Sequence, residues 1–278
     1  MTLKGLYTAA AGMLAEQMHT DTVADNLANV NTVAFKRRAV AMQAFPEMMI
    51  RETNRLDPTM AGKASGEVIG TLNSGASVYE TRIQFDQGTL IQTSAPLDIA
   101  LEGEGFFSVT SQPGVGVAPQ EKDIFYTRAG HLTIDSEGYL ANTEGLRVLD
   151  DNKRAIPVGP LLGQTNPSQN ITITQKGEVF VDRQLAGTIR LTRFQDNRML
   201  EKRGENLLQP VAGALEEPVA TGKPLNVVQG SLETSNTNMI YEMMQNIIGL
   251  RYYESMQRNI GTQNETLGQL INQAGKLK

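Results

Sequence analysis

The chain has 278 residues and contains no cysteine, no tryptophan and only two histidines, His19 and His131. The missing thiols exclude disulfides, thiolate metal sites and cysteine nucleophiles, and an exported chain of this kind cannot be trapped by wrong disulfides. The two histidines lack the spacing of a metal-ligand pair. His19 is expected on a polar helix face and His131 in a strand, neither of them catalytic. Basic residues are also short: 25 Lys and Arg against 30 Asp and Glu leave a formal charge of −5, which argues against broad nucleic-acid binding. The one dense basic run, "FKRR" (Phe35 to Arg38), reads as a solvated turn after a helix. No run approaches the ~18 apolar residues of a membrane span, so no direct membrane insertion is expected. The opening "MTLKGLYTAAAGMLAEQ" has one early lysine and no sustained apolar core, so a secretory signal is not expected either.

Motifs that carry chemistry are missing as well. There is no G-x-S-x-G, Walker loop or EF-hand loop. "GEGFF" (Gly103 to Phe107) is half of a dinucleotide fingerprint, but it lacks the third glycine, and strand residues follow where a helix should begin. It reads as a tight turn, and "GVGV" near Pro113 as a loop. Carboxylates are plentiful, but their spacing gives no reason to pick a pair. No enzyme activity and no cofactor or metal site are expected.

The two ends, by contrast, share a strong pattern. Leu3, Leu6, Ala10, Met13, Gln17, Thr20, Ala24 and Leu27 follow one another in steps of three and four. So do Met239, Met243, Asn246, Leu250, Tyr253, Gln257, Ile260, Asn264, Leu267 and Ile271. Such alternation is a heptad seam, the mark of helices packing side by side. The second helix is expected to begin near Asn238, with "TSNTN" supplying caps and Glu242 in the first turn, and to reach about Asn272. It would be roughly 50 Å long at 1.5 Å per residue. Asn246, Gln257 and Asn264 lie in that seam; either those turns are exposed or the amides bond across an interface and penalise misalignment. After Leu27, Asn29 and Asn31 favour caps and turns over helix. They are expected to turn the chain outward, with Phe35 as anchor.

The middle reads as β. "NITITQKGEVFVDR" alternates Ile171 and Ile173 with threonines, turns at Lys176–Gly177 and resumes with Val179 and Val181. "HLTIDSEGYLAN" repeats the form around Asp135 to Gly138, and "VYETRIQF", "LDIAL", "FFSVT", "RVLDD" and "GTIRLTRF" are further strands. Their spacing suggests an antiparallel sandwich or barrel. The stretch Arg55 to Ser77, rich in Gly, Ser and Pro, reads as a linker or extended arm. "PVATGKPLNVVQG" connects the sheet to the last helix. The expected fold is α+β: long N- and C-terminal helices pairing as a coiled-coil-like layer, with a central all-β antiparallel domain. The expected division is residues 1–45 for the first helix and turn, 46–77 for the arm, 78–228 for the β domain and 229–278 for the last helix.

Four segments carry a family likeness. "NLANVNT" (Asn26 to Thr32), followed by Phe35 and Lys36, closely resembles the N-terminal motif of bacterial flagellar rod and hook proteins. "QGTLIQTSAPLDIALEGEGFFSV" (Gln87 to Val109), "YTRAGHLTIDSEGYLANTEGLRVL" (Tyr126 to Leu149) and "QGSLETSNTNMIYEMMQNIIGLRYYE" (Gln229 to Glu254) resemble later motifs of that family, in its order. Together they cover about half the chain. The rod proteins are the nearer match, because hook proteins usually carry a larger middle; "MQAFPEMMI" (Met42 to Ile50) resembles rod-type proteins of Gram-positive bacteria. Three departures stand out. Asp25 replaces the usual Asn, Ala34 stands where Gly is common, and Gly249 and Leu250 break the usual run before Arg251. An alanine at a positive-φ site would cost ~1 kcal/mol or more, so a different local turn is expected at Ala34.

The resemblance implies a structural subunit of the flagellar rod, in the basal body of the cell envelope and contributing to motility. It implies export through the flagellar type III apparatus and helical assembly with copies of itself and with other axial proteins, the terminal helices forming an inner tube. The seam residues, with Asn29, Asn31 and Phe35, would then be the assembly interface. The terminal helices are expected to be loose in the free subunit and to order on joining neighbours, while the β domain stays folded. The competing readings are a hook or hook-junction component, a secreted β-domain enzyme with oligomerising helices, and a soluble coiled-coil adaptor.

Overall fold

The structure is a computed structural model that describes residues 2–51, 68–73, 75–111, 121–159, 171–204, 206–217 and 225–275. Contacts divide the chain into two units. One comprises Met1–Leu27, Arg38–Arg82 and Met239–Lys278, the other Ala28–Arg37 and Ile83–Asn238. A helix at each end and strands between them make the fold α+β.

In the first unit, helix α1 spans Thr2–Ala28 and helix α2 spans Met239–Gly275. Alanine and leucine supply ten of the 27 residues of α1, and both lose little rotamer freedom in a helix. Glu242 lies in the first turn of α2, where its charge complements the helix dipole. The helices touch along antiparallel courses. Asn26 Nδ2 lies 3.5 Å from a Glu242 oxygen. A methyl placed on Gly249 would lie 2.7 Å from Glu16 Oε1, one on Gly12 3.0 Å from Met256 Sδ, and one on Gly5 2.9 Å from Gln263 Nε2. Glycine costs a helix about 1 kcal/mol relative to alanine. Here its missing side chain is the space that the facing helix uses.

The same unit holds two strand pairs, Arg38–Ala44 with Ala76–Ile83 and Met48–Arg51 with Val68–Leu72. The stretch read as a linker or arm is therefore strand at its described end, where Val68–Leu72 pairs with an earlier strand. Glycine and serine had masked that pairing, because a short ribbon needs few large side chains. Residues 52–67, most of that stretch, lie outside the described residues, as do the Gly-Val loop near Pro113 and residues 218–224 of the connector.

The second unit is antiparallel β. Its hub is strand Phe106–Thr110, which pairs with Ile124–Thr127, Arg147–Val148 and Leu191–Phe194. All five hub residues are buried. Phe107 and Val109 enter one core with Ile99, Leu101, Leu140 and Val179, while Phe106 enters a second with Tyr126, Phe194 and Leu208. A strand covered on both faces has no polar side to show, so "FFSVT" does not alternate. Its two hydroxyls are paired: Ser108 with Thr192 Oγ1 at 2.9 Å, and Thr110 donating to the Asp123 carbonyl at 3.0 Å.

Both expected hairpins are present. Ile171↔Val181 and Ile173↔Val179 are opposed across a turn where Gly177 has φ 83°, and Leu140↔Ile134 across one where Gly138 has φ 82°. "GTIRLTRF" divides between Gln184–Thr188 and Leu191–Phe194. Gly103, at φ 112°, makes the expected turn between Ile99–Glu102 and the hub strand. "NVVQ" of the connector is itself a strand, Asn226–Gln229, paired with Ile99–Glu102.

The Gly130 carbonyl accepts the Ile99 N–H at 2.9 Å, and a methyl on Gly130 would overlap the Ile99 carbonyl oxygen. A Gly130→Ala variant must shift backbone at the centre of the larger core. It should lose about 3 kcal/mol or more, read as a lower urea midpoint for the β signal.

Candidate assembly surface

The asparagine-rich end of α1 is organised by Asn26, a residue that composition alone does not distinguish from its neighbours. Its side-chain Oδ1 accepts the Arg38 N–H at 2.9 Å and its Nδ2 donates to the Arg38 carbonyl at 2.8 Å. One amide thus supplies both bonds of a strand rung to a chain twelve residues away. Asp25 pairs with the Arg38 guanidinium, so the acid that departs from the family pattern has a partner. Asn29 works locally, its carbonyl accepting the Thr32 N–H and its Oδ1 the Thr32 hydroxyl, both at 3.1 Å; Asn31 is exposed.

The basic run that follows is not a solvated turn. Lys36 is buried in the second unit, where its ammonium donates to Glu233 Oε1 at 2.6 Å and to the Asp86 carbonyl at 2.8 Å. Glu233 is 1% exposed and also receives Arg128 Nη1, 3.2 Å from its other oxygen, and the Gly88 N–H at 2.8 Å. Arg128 in turn donates to the carbonyls of Gly103 and Gly105. Asn236 adds an amide clamp, accepting the Arg37 N–H at 2.7 Å and donating to the Gln84 carbonyl at 2.9 Å. Residues 34–37 are thereby fixed to 233–236.

Ala34 adopts positive φ, at 56°, despite its side chain. Its N–H donates to the Glu233 carbonyl at 2.8 Å, one of the bonds that hold it there. Phe35, expected among the assembly residues, is 2% exposed and lies beneath the Lys202 ammonium, 4.8 Å from its ring centre. It anchors its own unit. A cavity of about 30 Å³ beside it is lined by Ile83, Phe106, Leu207 and Leu208, too small for more than a water.

The more buried stripe of each helix includes part of the expected seam and departs from the rest. On α2, Asn246, Tyr253, Ile260 and Leu267 are half-buried, and the more buried face is completed by Glu242, Gly249, Met256 and Gln263. Met239, Met243, Leu250, Gln257, Asn264 and Ile271 are exposed. On α1, Leu6, Met13, Thr20 and Leu27 are half-buried beside Gly12, Ala15, Val23 and Asn26, while Ala10, Gln17 and Ala24 are exposed. Of Leu3 only the helical backbone is described. Large apolar side chains crowd the exposed faces. Tyr7, Leu14 and Met18 stand out from α1, with Tyr7 74% exposed, and Ile240, Met244, Ile247 and Leu250 from α2, with Ile240 80% exposed.

His19 bonds Glu16 at 3.2 Å and His131 bonds Asp98 at 2.6 Å. Among the described residues no group of three or more His, Asp or Glu is placed to hold a metal ion.

Three family models match the chain: a flagella basal body rod protein at residues 6–36, the D1 domain of the flagellar hook protein FlgE/F/G at 100–181, and the C-terminal domain of the flagellar basal body rod FlgEFG protein at 228–273. The flagellar basal-body rod protein FlgG of Borreliella burgdorferi is 31% identical, with 96% of this chain and 97% of that protein covered. The chain belongs to the flagellar basal-body rod protein family. The rod protein is also 29% identical to the flagellar hook-basal body complex protein FlhO of Bacillus subtilis, covering 99% and 100%, and 29% identical to the rod protein FlgF of Caulobacter vibrioides, covering 98% of each. The protein is thus a structural component of the flagellar basal body. The first matched segment runs from α1 to Lys36 and the last from Val228 into α2, so the two segments joined at Lys36 and Glu233 are those that the family models also single out.

Removing the charge of Glu233 leaves two buried cations without a counter-ion. A Glu233→Gln rod protein should lose about 3–5 kcal/mol in urea titrations monitored through the β unit. Lys36 supplies a pH signature. Desolvation holds its ammonium below the usual lysine range, Glu233 opposes this and Arg128 adds to it. In the alkaline range below the usual lysine value the unfolded chain therefore binds more protons than the folded one, and stability rises with pH. The native protein should gain stability over a Lys36→Met variant as pH climbs toward about 10.4, and lose that gain as pH falls back.

Proposed function

We propose that this rod protein builds the flagellar drive shaft by polymerising helically with copies of itself and with other axial proteins through the outward faces of α1 and α2. The observation that carries the reading is the row of large apolar side chains that α2 holds in water: Ile240, Met243, Met244, Ile247 and Leu250, all exposed. Each Å² of such surface costs roughly 25 cal/mol until it is covered. A single chain seldom leaves so much of one helix uncovered, and such a patch marks a docking face.

The paired helices would complete a coiled-coil-like layer once neighbours supply the seam partners, with exposed Gln257 and Asn264 as register-setting amides. A head-to-tail contact that does not close gives an open helical polymer. The helices then gain order from their neighbours, while the β unit, with its own two cores, is folded before assembly. A chain that crosses a type III export apparatus unfolded must refold at the growing end, and the absence of cysteine suits that route. No catalytic role is assigned; the protein acts by shape and contact.

Charge on the outward face should stop assembly without unfolding the subunit. Ile247→Asp and Leu14→Asp subunits should remain monomeric in sedimentation at concentrations where the native chain associates, keep their β spectrum, and fail to restore motility to cells lacking the native copy. Unchanged association of both variants would overturn the reading.

A further inference from the structure

We infer that Met239, Met243 and Met244 form an oxidation-sensitive modification site at the start of α2, through which a peroxide-class oxidant blocks assembly of the free subunit. The inference rests on the proposal that this helix face docks onto a neighbouring copy. Three thioethers lie within the first six residues of one helix, and each side chain is exposed, at 41%, 46% and 47%. Met239 and Met243 are one turn apart on the same face, and Met244 adjoins them. Ile240, Ile247 and Leu250 surround them with exposed apolar surface. The chain has no cysteine, so no thiolate competes for the oxidant and methionine sulfur is its readiest two-electron target. Elsewhere in α2, Met256 is half-buried, with its sulfur against Gly12 of α1.

The step balances simply. A thioether sulfur attacks one oxygen of hydrogen peroxide, the S–O bond forms as the O–O bond breaks, and the second oxygen leaves as water after proton transfer. Sulfur is oxidised by two electrons to the sulfoxide and peroxide is reduced. The product carries a polar oxygen in the middle of a surface whose affinity comes from being apolar, and covering it would strand an acceptor without a donor. Once a neighbour covers the face, the sulfurs are shielded. The site therefore discriminates between free and assembled protein, and a sulfoxide reductase can restore the former.

The test treats the full-length subunit with hydrogen peroxide, maps sulfoxides by peptide mass and measures the critical concentration for self-association. Met239, Met243 and Met244 should oxidise ahead of Met256, and the critical concentration should rise about tenfold or more. In a Met18→Leu background, which removes the exposed thioether on the outward face of α1, a variant with all three replaced by leucine should keep its association after the same treatment, and one with all three replaced by glutamine should lose it without peroxide. If the leucine variant is inhibited as strongly as the native chain, or if the oxidised native chain associates normally, the proposal is wrong. If the glutamine variant associates normally while Ile247→Asp does not, the face is the interface but is not redox-sensitive. A native, fully reduced chain that never associates overturns the assembly reading itself.

Discussion

The buried carboxylate of Glu233 is the constraint on which the second unit depends. It is a single charge in a buried site, where Lys36, Arg128 and the Gly88 N–H converge on it and make it tolerable. Lys36 comes from the segment after α1, Glu233 from the segment before α2, and Arg128 from the strand region between. A buried ion group of this kind contributes little net stability compared with well-packed apolar residues, but breaking it is expensive. What it fixes is alignment: residues 34–37 can meet 233–236 in one register only, which the Asn236 amide and the Ala34 N–H then reinforce. The strain of Ala34 at positive φ is small beside the cost of releasing Lys36 from its counter-ion.

In the first unit the usual arrangement of a helix pair is partly inverted. Polar and small groups lie between α1 and α2, among them Glu16, Thr20, Asn26, Gly249 and a fully buried Glu242, while isoleucine, leucine, methionine and tyrosine face outward. A pair built to be stable alone would do the reverse, because apolar burial supplies most of the driving force. Polar contacts of this type select a geometry at modest strength. Outward apolar contacts supply strength once a partner is available.

Much of the β architecture was legible because its physics is local. A turn glycine between two strand-forming runs leaves few options other than a hairpin, and Gly138 and Gly177 both adopt the positive φ of such turns. The α+β class followed from the change of period between the ends and the middle. What could not be read was pairing at a distance. Lys36 and Glu233 are 197 residues apart, and nothing near either one announces the other. A run such as "FKRR" is solvated far more often than buried, so composition pointed the wrong way. Asn26 was hidden by company: three asparagines within six residues share one local preference, and only the position of Arg38 tells which amide makes the clamp.

The phase of the helical seams shows the same limit in another form. Steps of three and four fix the pitch of a stripe, and that pitch is observed. They do not choose between two stripes that share every second position and differ by one residue at the others, each of which follows the same steps. On α2 the choice falls to Gly249 and Met256, the first leaving a gap for Glu16 and Thr20, the second filling the gap at Gly12. Glycine weighs against a seam in any hydrophobicity count, so the stripe containing it is passed over in favour of one containing Leu250. Yet close approach of two helices needs a missing side chain more than it needs a large one. The departure at Gly249 and Leu250 then has a physical sense: glycine turns inward and lets the helices meet, and leucine, one residue on, is carried to the outward face where a neighbouring subunit would find it.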